Sequence, residues 1–154
     1  MTPAPTVRLE TVRSIPLAVI RRRVQSSMLS RVVPECCGLA WDAMRAQHAK
    51  AGRHVALYLD DTMNVEIGVE ALGPFVETDD LVRSATPAGL VATVTFFGPY
   101  DQLGAAYTAV REWATLKGRT LGWPRWEIYG HWREAWNADP SQIRTDLFFH
   151  VADA

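Results

Sequence analysis

The chain has 154 residues, 48% of them hydrophobic, which suits one domain with a sizeable core and leaves little room for a second. Sixteen basic against seventeen acidic residues give a formal net charge of −1, excluding a charge-driven attraction to nucleic acid or an anionic membrane surface. No segment reaches the roughly 20 apolar residues that span a bilayer, and MTPAPTVRLE lacks the apolar core of a secretory signal, so a cytoplasmic location is expected.

In chain order, VRSIPLAVIRRRV (12–24) predicts a strand with a proline bend near its start. Its terminal Arg21, Arg22 and Arg23 alternate between faces, so they are not expected to form one three-charge patch. VPECCGLAWDAMRAQHAKAG (33–52) predicts a helix with Val33, Cys37, Trp41 and Met44 on one stripe, stopping at a glycine. Its adjacent Cys36 and Cys37 suit neither a disulfide nor a CxxC redox pair and read as small core residues. HVALYLD (54–60) and NVEIGVEAL (64–72), joined through Asp-Thr-Met, predict a hairpin, and PFVETDDL (74–81) a linker.

The order then starts again. VRSATPAGLVATV (82–94) repeats Val-Arg-Ser, proline and a β-branched run, and YDQLGAAYTAVREWATLKG (100–118) predicts a second helix, striped by Leu103, Ala106, Tyr107, Val110, Trp113 and Ala114. WEIYGHW (126–132) and RTDLFFHV (144–151) predict closing strands, separated by REAWNADPSQI, a loop long enough to suggest a functional role. The reading is one α+β domain over 1–154. It comprises tandem βαββ repeats at about 7–73 and 81–151, related by pseudo-two-fold symmetry, with an antiparallel sheet and two main helices.

Alternation places Val55, Leu57 and Leu59 on one face with Val65, Ile67 and Val69, and Ala56, Tyr58 and Asp60 on the other with Glu66, Gly68 and Glu70. In the second half Trp126, Ile128, Trp132, Leu147, Phe149 and Val151 face one way, and Glu127, Tyr129, His131, Asp146, Phe148 and His150 the other. If the repeats pair edge to edge, Tyr58 becomes the counterpart of Tyr129, and a groove lined by tyrosines, Phe148 and Glu127 follows. Glu127 then either sits in water on an open face or is sheltered. A sheltered carboxylate must be protonated, paired with a basic group, or a counter-charge for a ligand cation. Surrounding rings favour the last, since a cation over an aromatic face gains roughly 0.5–2 kcal/mol. Trp123 and Trp126 join Tyr58, Tyr129 and Phe148 as stacking candidates, and Trp136 with residues 137–140 as a lid. His48, His54, His131 and His150 fall at no metal-ligand spacing, so no metal is expected. The letters NADP at 137–140 belong to no glycine-rich turn, so no cofactor is expected either.

The duplicated order, the EIGVE strand, the FFGPYDQLGAAYTAV run into the second helix and the WEIY strand together resemble the GyrI-like small-molecule-binding domain. That family is the effector-binding module of many bacterial AraC- and MerR-type transcription regulators, and it also occurs alone. The resemblance runs from about Val7 to Val151 and implies a ligand cleft between the halves, with an acidic residue on the ligand at the position of Glu127. Tyr129 and Tyr58 match the family's aromatic positions. No helix-turn-helix precedes Val7, so direct nucleic-acid binding is not expected. The implied partner is a hydrophobic, aromatic or cationic small molecule such as a drug or toxin, with a homodimer left open and inhibition of a protein partner as a blander reading. Some stand-alone relatives are similar yet are hydrolases that open strained cyclopropane rings. In that reading Glu127 is a general base or charge stabiliser and the Tyr129 hydroxyl polarises the electrophile. Binding is preferred, because the sequence offers one acid/base candidate, no clear second, and no Ser-His-Asp or Cys-His arrangement.

Overall fold

A computed structural model describes residues 5–153. The runs rich in Val, Ile, Leu and aromatic residues form β1 (Arg8–Val12), β2 (Pro16–Arg23), β3 (Ala51–Tyr58), β4 (Asn64–Ala71), β5 (Leu81–Ala85), β6 (Gly89–Phe97), β7 (Leu121–Tyr129) and β8 (Arg144–Val151). Between them lie α1 (Leu29–Ala46), α2 (Gly104–Lys117) and the single-turn α3 (Ala135–Ala138). All eight strands join one sheet in the order β1-β6-β8-β7-β3-β4-β2-β5, with every pairing antiparallel. That order is unchanged when β1–β4 and β5–β8 are exchanged, and β3 meets β7 at its centre. Among the described residues no helix is long and apolar enough to cross a membrane.

The bent strand expected at the start of each half is two strands joined by a crossing. β1 pairs with β6 at one edge and β5 with β2 at the other, so each half sends its first strand to the far half. Pro16 and Pro87 fix φ and remove a donor where the chain leaves one strand for the next. The two crossings hold each other: Ile15 N donates to Thr86 Oγ1 at 2.8 Å, Thr86 N to Ile15 O at 3.0 Å, and Ser14 Oγ to Thr86 O at 2.6 Å.

The helices differ from expectation mainly at their ends. α1 begins at Leu29 rather than Val33, carries Pro34 inside it, and buries Cys36, Ala40 and Met44; Val33, Cys37 and Trp41 are half-buried beside that stripe. It stops before Gly52, because His48 adopts the left-handed conformation (φ 55°) and Gly52 lies inside β3. α2 ends as expected on Gly118, whose φ of 64° suits a residue without Cβ.

Register fixes the faces. Ile20, Ile67, Ala56, Glu127, Leu147 and Val94 are successive cross-strand partners and form one row across six strands. At one end of the row Ile20, Ile67 and Ala56 pack with Cys36, Ala40 and Met44 of α1, and at the other Leu147 and Val94 pack with Ala106 and Val110 of α2. Both helices therefore cover the same face, α1 over β2–β4 and α2 over β6, leaving β7 between them. On the far face Leu17, Val19, Val55, Leu57, Val91, Trp126 and Ile128 form a separate core, closed by Val12, Ile15 and Val82 from the β1 and β5 segments.

The arginine triplet closes β2. Arg21, Arg22 and Arg23 line one surface concavity of about 430 Å³ with Asp60 and Asn64. Arg21, Arg22 and Arg23 lie opposite Glu66, Val65 and Asn64, where β2 ends beside the start of β4, and Arg21 Nε is on Glu66 at 2.7 Å.

Gly68 sits between Val55 and Val19, and a Cβ there would come within 2.8 Å of Val19 Cα and closer still to the Ala18 carbonyl. Backbone in the sheet centre cannot yield, so Gly68→Ala is expected to lower the free energy of unfolding by more than about 2 kcal/mol, checked by urea denaturation.

Candidate functional site

Glu127 is the one charged member of an otherwise aliphatic row, 5% exposed and directly opposite Ala56, whose small side chain leaves space above the sheet. That space is filled by tyrosines. Tyr107 of α2 donates its hydroxyl to Glu127 Oε2, Tyr129 donates to Oε1, and the Tyr58 hydroxyl acts on the carboxylate in the same sense. Tyr100, in the turn before α2, packs edge-on against Tyr129 at 5.6 Å between ring centroids. The chain has four tyrosines, and all of them gather here. Three cross-strand pairs form the floor: His54–Tyr129, Ala56–Glu127 and Tyr58–Arg125.

Among the described residues the carboxylate has no basic partner. Glu66 is also buried, but takes Arg21 Nε at 2.7 Å, and Glu70 takes Arg53 Nε at 2.7 Å; Asp146 is paired with Arg144 at 3.3 Å. Those three point to the far face, whereas Glu127 meets only neutral hydroxyls. Burial pushes its pKa up, and the hydrogen bonds from Tyr107, Tyr129 and Tyr58 partly offset the rise. Burial and the neighbouring Glu127 charge hold Tyr58, Tyr107 and Tyr129 above the ordinary tyrosine range. On the α1 side, burial and Cys36 push the Cys37 thiol to about 12, so it remains a protonated, soft wall near Tyr58 and Tyr100. Burial lowers the His54 pKa, and its Nδ1 is buried without a partner, with the Trp41 ring at 5.7 Å.

The structure thus brings together Glu127, Tyr58 and Tyr129 among the residues singled out in the sequence. It separates others. Because Glu127 pairs with Leu147 rather than sharing a face with Phe148, Phe148 lies on the far face, stacked on Trp126 at 5.3 Å and 9°. The same register corrects the first half: Ala56 and Tyr58 share a face with Ile67 and Val65, and Val55 with Gly68. Trp123 is 37% exposed and lies under the Arg125 guanidinium at 4.1 Å. Trp136 is buried over Gly130, edge-on to Trp132, so it closes the long loop onto the end of β7. Tyr107, Tyr100, Cys37 and Arg125 were not singled out as site residues. Tyr107 shares a helical stripe with Val110 and Leu103, and that periodicity reads as core; the sparse tyrosine count was the available signal.

Residues 5–152 match the family described as the GyrI-like small molecule binding domain. The chain belongs to that GyrI-like family. Among solved structures the EcmrR C-terminal domain superposes with a TM-score of 0.73 at 24% identity, covering 96% of this chain and 97% of that one. The EcmrR–DNA complex gives 0.75 at 24% identity, and there this chain covers 96% of itself but spans 57% of the partner's length. SAV2435 bound to tetraphenylphosphonium gives 0.70 at 12% identity over 95% and 93% of the two chains. A hydrolase from Listeria innocua gives 0.63 at 10% identity over 98% and 94%. At these identities the likeness is one of fold. No curated protein matches the chain in sequence.

The electrostatics of this GyrI-like domain give a stability test. A carboxylate whose folded pKa exceeds its unfolded one contributes stability fully below the unfolded value and loses it as pH rises through the folded one. Wild-type protein is therefore expected to lose stability relative to Glu127→Gln as pH rises above the ordinary glutamate value of about 4.3, measured by urea denaturation of both proteins. A difference independent of pH would mean that Glu127 titrates normally.

Proposed function

We propose that this GyrI-like domain binds a hydrophobic aromatic cation between α1 and α2, with Glu127 as its counter-charge. The observation that carries the reading is a buried carboxylate held by tyrosine hydroxyls with, among the described residues, no basic side chain on it. A lone buried charge is expensive, and a ligand cation offsets that expense better than water-free neutral donors do. Tyr58, Tyr107, Tyr129 and Tyr100 supply ring faces and edges, adding cation–π attraction and stacking area. The tetraphenylphosphonium bound by the SAV2435 neighbour is a cation of this class. Tyrosine rings cover Glu127, so a ligand enters by displacing them, and Tyr100, 45% exposed, is the outermost.

Tetraphenylphosphonium binding measured by calorimetry is the test. Glu127→Gln is expected to weaken it by about tenfold or more, the usual scale for removing a desolvated charge partner. Affinity should also rise with pH as Glu127 ionises, with proton release visible as a dependence of the heat on buffer. Unchanged affinity in the variant would refute charge complementarity at this position.

A second reading is hydrolysis of a strained electrophile such as a cyclopropane, favoured by the same raised pKa and the hydroxyls beside it. Glu127 would take a proton from water as its oxygen attacks a ring carbon, and the electron pair of the breaking C–C bond would pass into the attached electrophilic group, polarised by the Tyr129 hydroxyl. Product mass followed over time separates the two: turnover beyond stoichiometric amounts favours hydrolysis, and saturation without a mass change favours binding.

A further inference from the structure

Arg125 lies two residues before Glu127 on β7, on the same face, roughly 7 Å along the strand. Its direct cross-strand neighbours are Tyr58 on one side and Phe149 on the other, so it occupies the floor on which the tyrosines stand. The guanidinium is fixed in orientation. It lies 4.1 Å from the Trp123 ring centroid and 5.4 Å from that of Phe149, and its Nε donates to Gly122 O at 3.1 Å.

Among the described residues Arg125 forms no ion pair, whereas Arg53, half-buried in the neighbouring strand, closes on both oxygens of Glu70 at 2.7 and 3.2 Å. Of its five N–H donors one is used, and the nearby Tyr107 hydroxyl is committed to Glu127. Burial lowers the Arg125 pKa, and Arg111 on α2 adds a repulsive positive charge to it. A planar, pre-oriented, half-buried guanidinium with free donors and a second cation beside it is the arrangement that takes a carboxylate or carbonyl oxygen.

We infer that Arg125 is a second polar anchor of the Glu127 site, an acceptor subsite that makes amphoteric aromatic molecules the preferred ligand class over simple cations. The inference rests on the binding reading above: the ligand sets its cationic centre at Glu127 and its acidic or carbonyl group at Arg125, against the Trp123 edge of the site. Opposite charges at the two anchors match a zwitterion end to end, and a second positive group on the ligand is rejected by Arg125 and Arg111. Trp123 thereby acts as the platform that orients the guanidinium.

A pair of rhodamine dyes tests this: one with a free benzoate, and its methyl ester, which keeps the cationic ring system and lacks the acid. Fluorescence anisotropy gives the Kd of each for wild type, Arg125→Gln, Arg125→Lys and Glu127→Gln. Wild type is expected to favour the free acid. Arg125→Gln should weaken the free acid by about tenfold or more and leave the ester within about twofold, with Arg125→Lys, which keeps the charge without the fork, in between. Equal weakening of both dyes by Arg125→Gln, or of neither, would overturn the inference and leave Arg125 as a staple for Trp123. Ester binding indifferent to Glu127→Gln would instead defeat the reading of Glu127, whatever Arg125 does. Binding of neither dye to wild type would defeat both.

Discussion

A carboxylate taken out of water must be given back hydrogen bonds, a counter-charge or a proton, and the choice made for Glu127 organises this molecule. The row Ile20, Ile67, Ala56, Glu127, Leu147, Val94 would serve as the floor of an ordinary sheet-and-helix core if its fourth member were aliphatic. Instead an acid stands there, and tyrosine hydroxyls replace its hydration while their rings exclude water. Neutral donors hold it but do not neutralise it. In the proposed reading the result is an electrostatic preference for something positive, kept dry enough for that preference to act.

The sheet topology makes the arrangement achievable. Pairing β3 with β7 at the centre sets Ala56 against Glu127 and brings Tyr58 and Tyr129 to the same face from the two halves. The exchange of β1 and β5 across the sheet covers the far face with Val12, Ile15 and Val82, so the helix face need not carry all of the core. The carboxylates Glu66, Glu70 and Asp146 lie on that far face, each with an arginine. Among the described residues these strand acids are sorted by face: Glu66, Glu70 and Asp146 are paired with arginines on the far face, and Glu127, with none, lies between the helices.

Much of this was legible in the residues. The repeated Val-Arg-Ser and proline, the two amphipathic helices and the hairpin at Asp61-Thr62-Met63 gave the element order, and WEIY drew attention to Glu127 and Tyr129. What alternation could not supply was register. Within one strand it tells which residues share a face, but joining Glu127 to Leu147 rather than to Phe148 depends on the offset between strands. The usual cue failed because β3, β4 and β7 are buried on both faces, leaving no wet side to identify. Trp126 and Phe148 stack on each other on the far face for that reason, and Tyr107 hid in a helical stripe that reads equally well as core. Arg125 gave no signal at all until its neighbours were known.

The family gives the general task, small-molecule binding, and the side chains of this chain set its terms. The titration of one group tests the account most directly: carbon-13 NMR of the Glu127 side-chain carboxyl, followed across pH in the ligand-free protein. The account requires a midpoint clearly above the ordinary glutamate value of about 4.3. A midpoint at or below that value would mean that the acid is well solvated or already paired, and the case for a waiting counter-charge would fall with it.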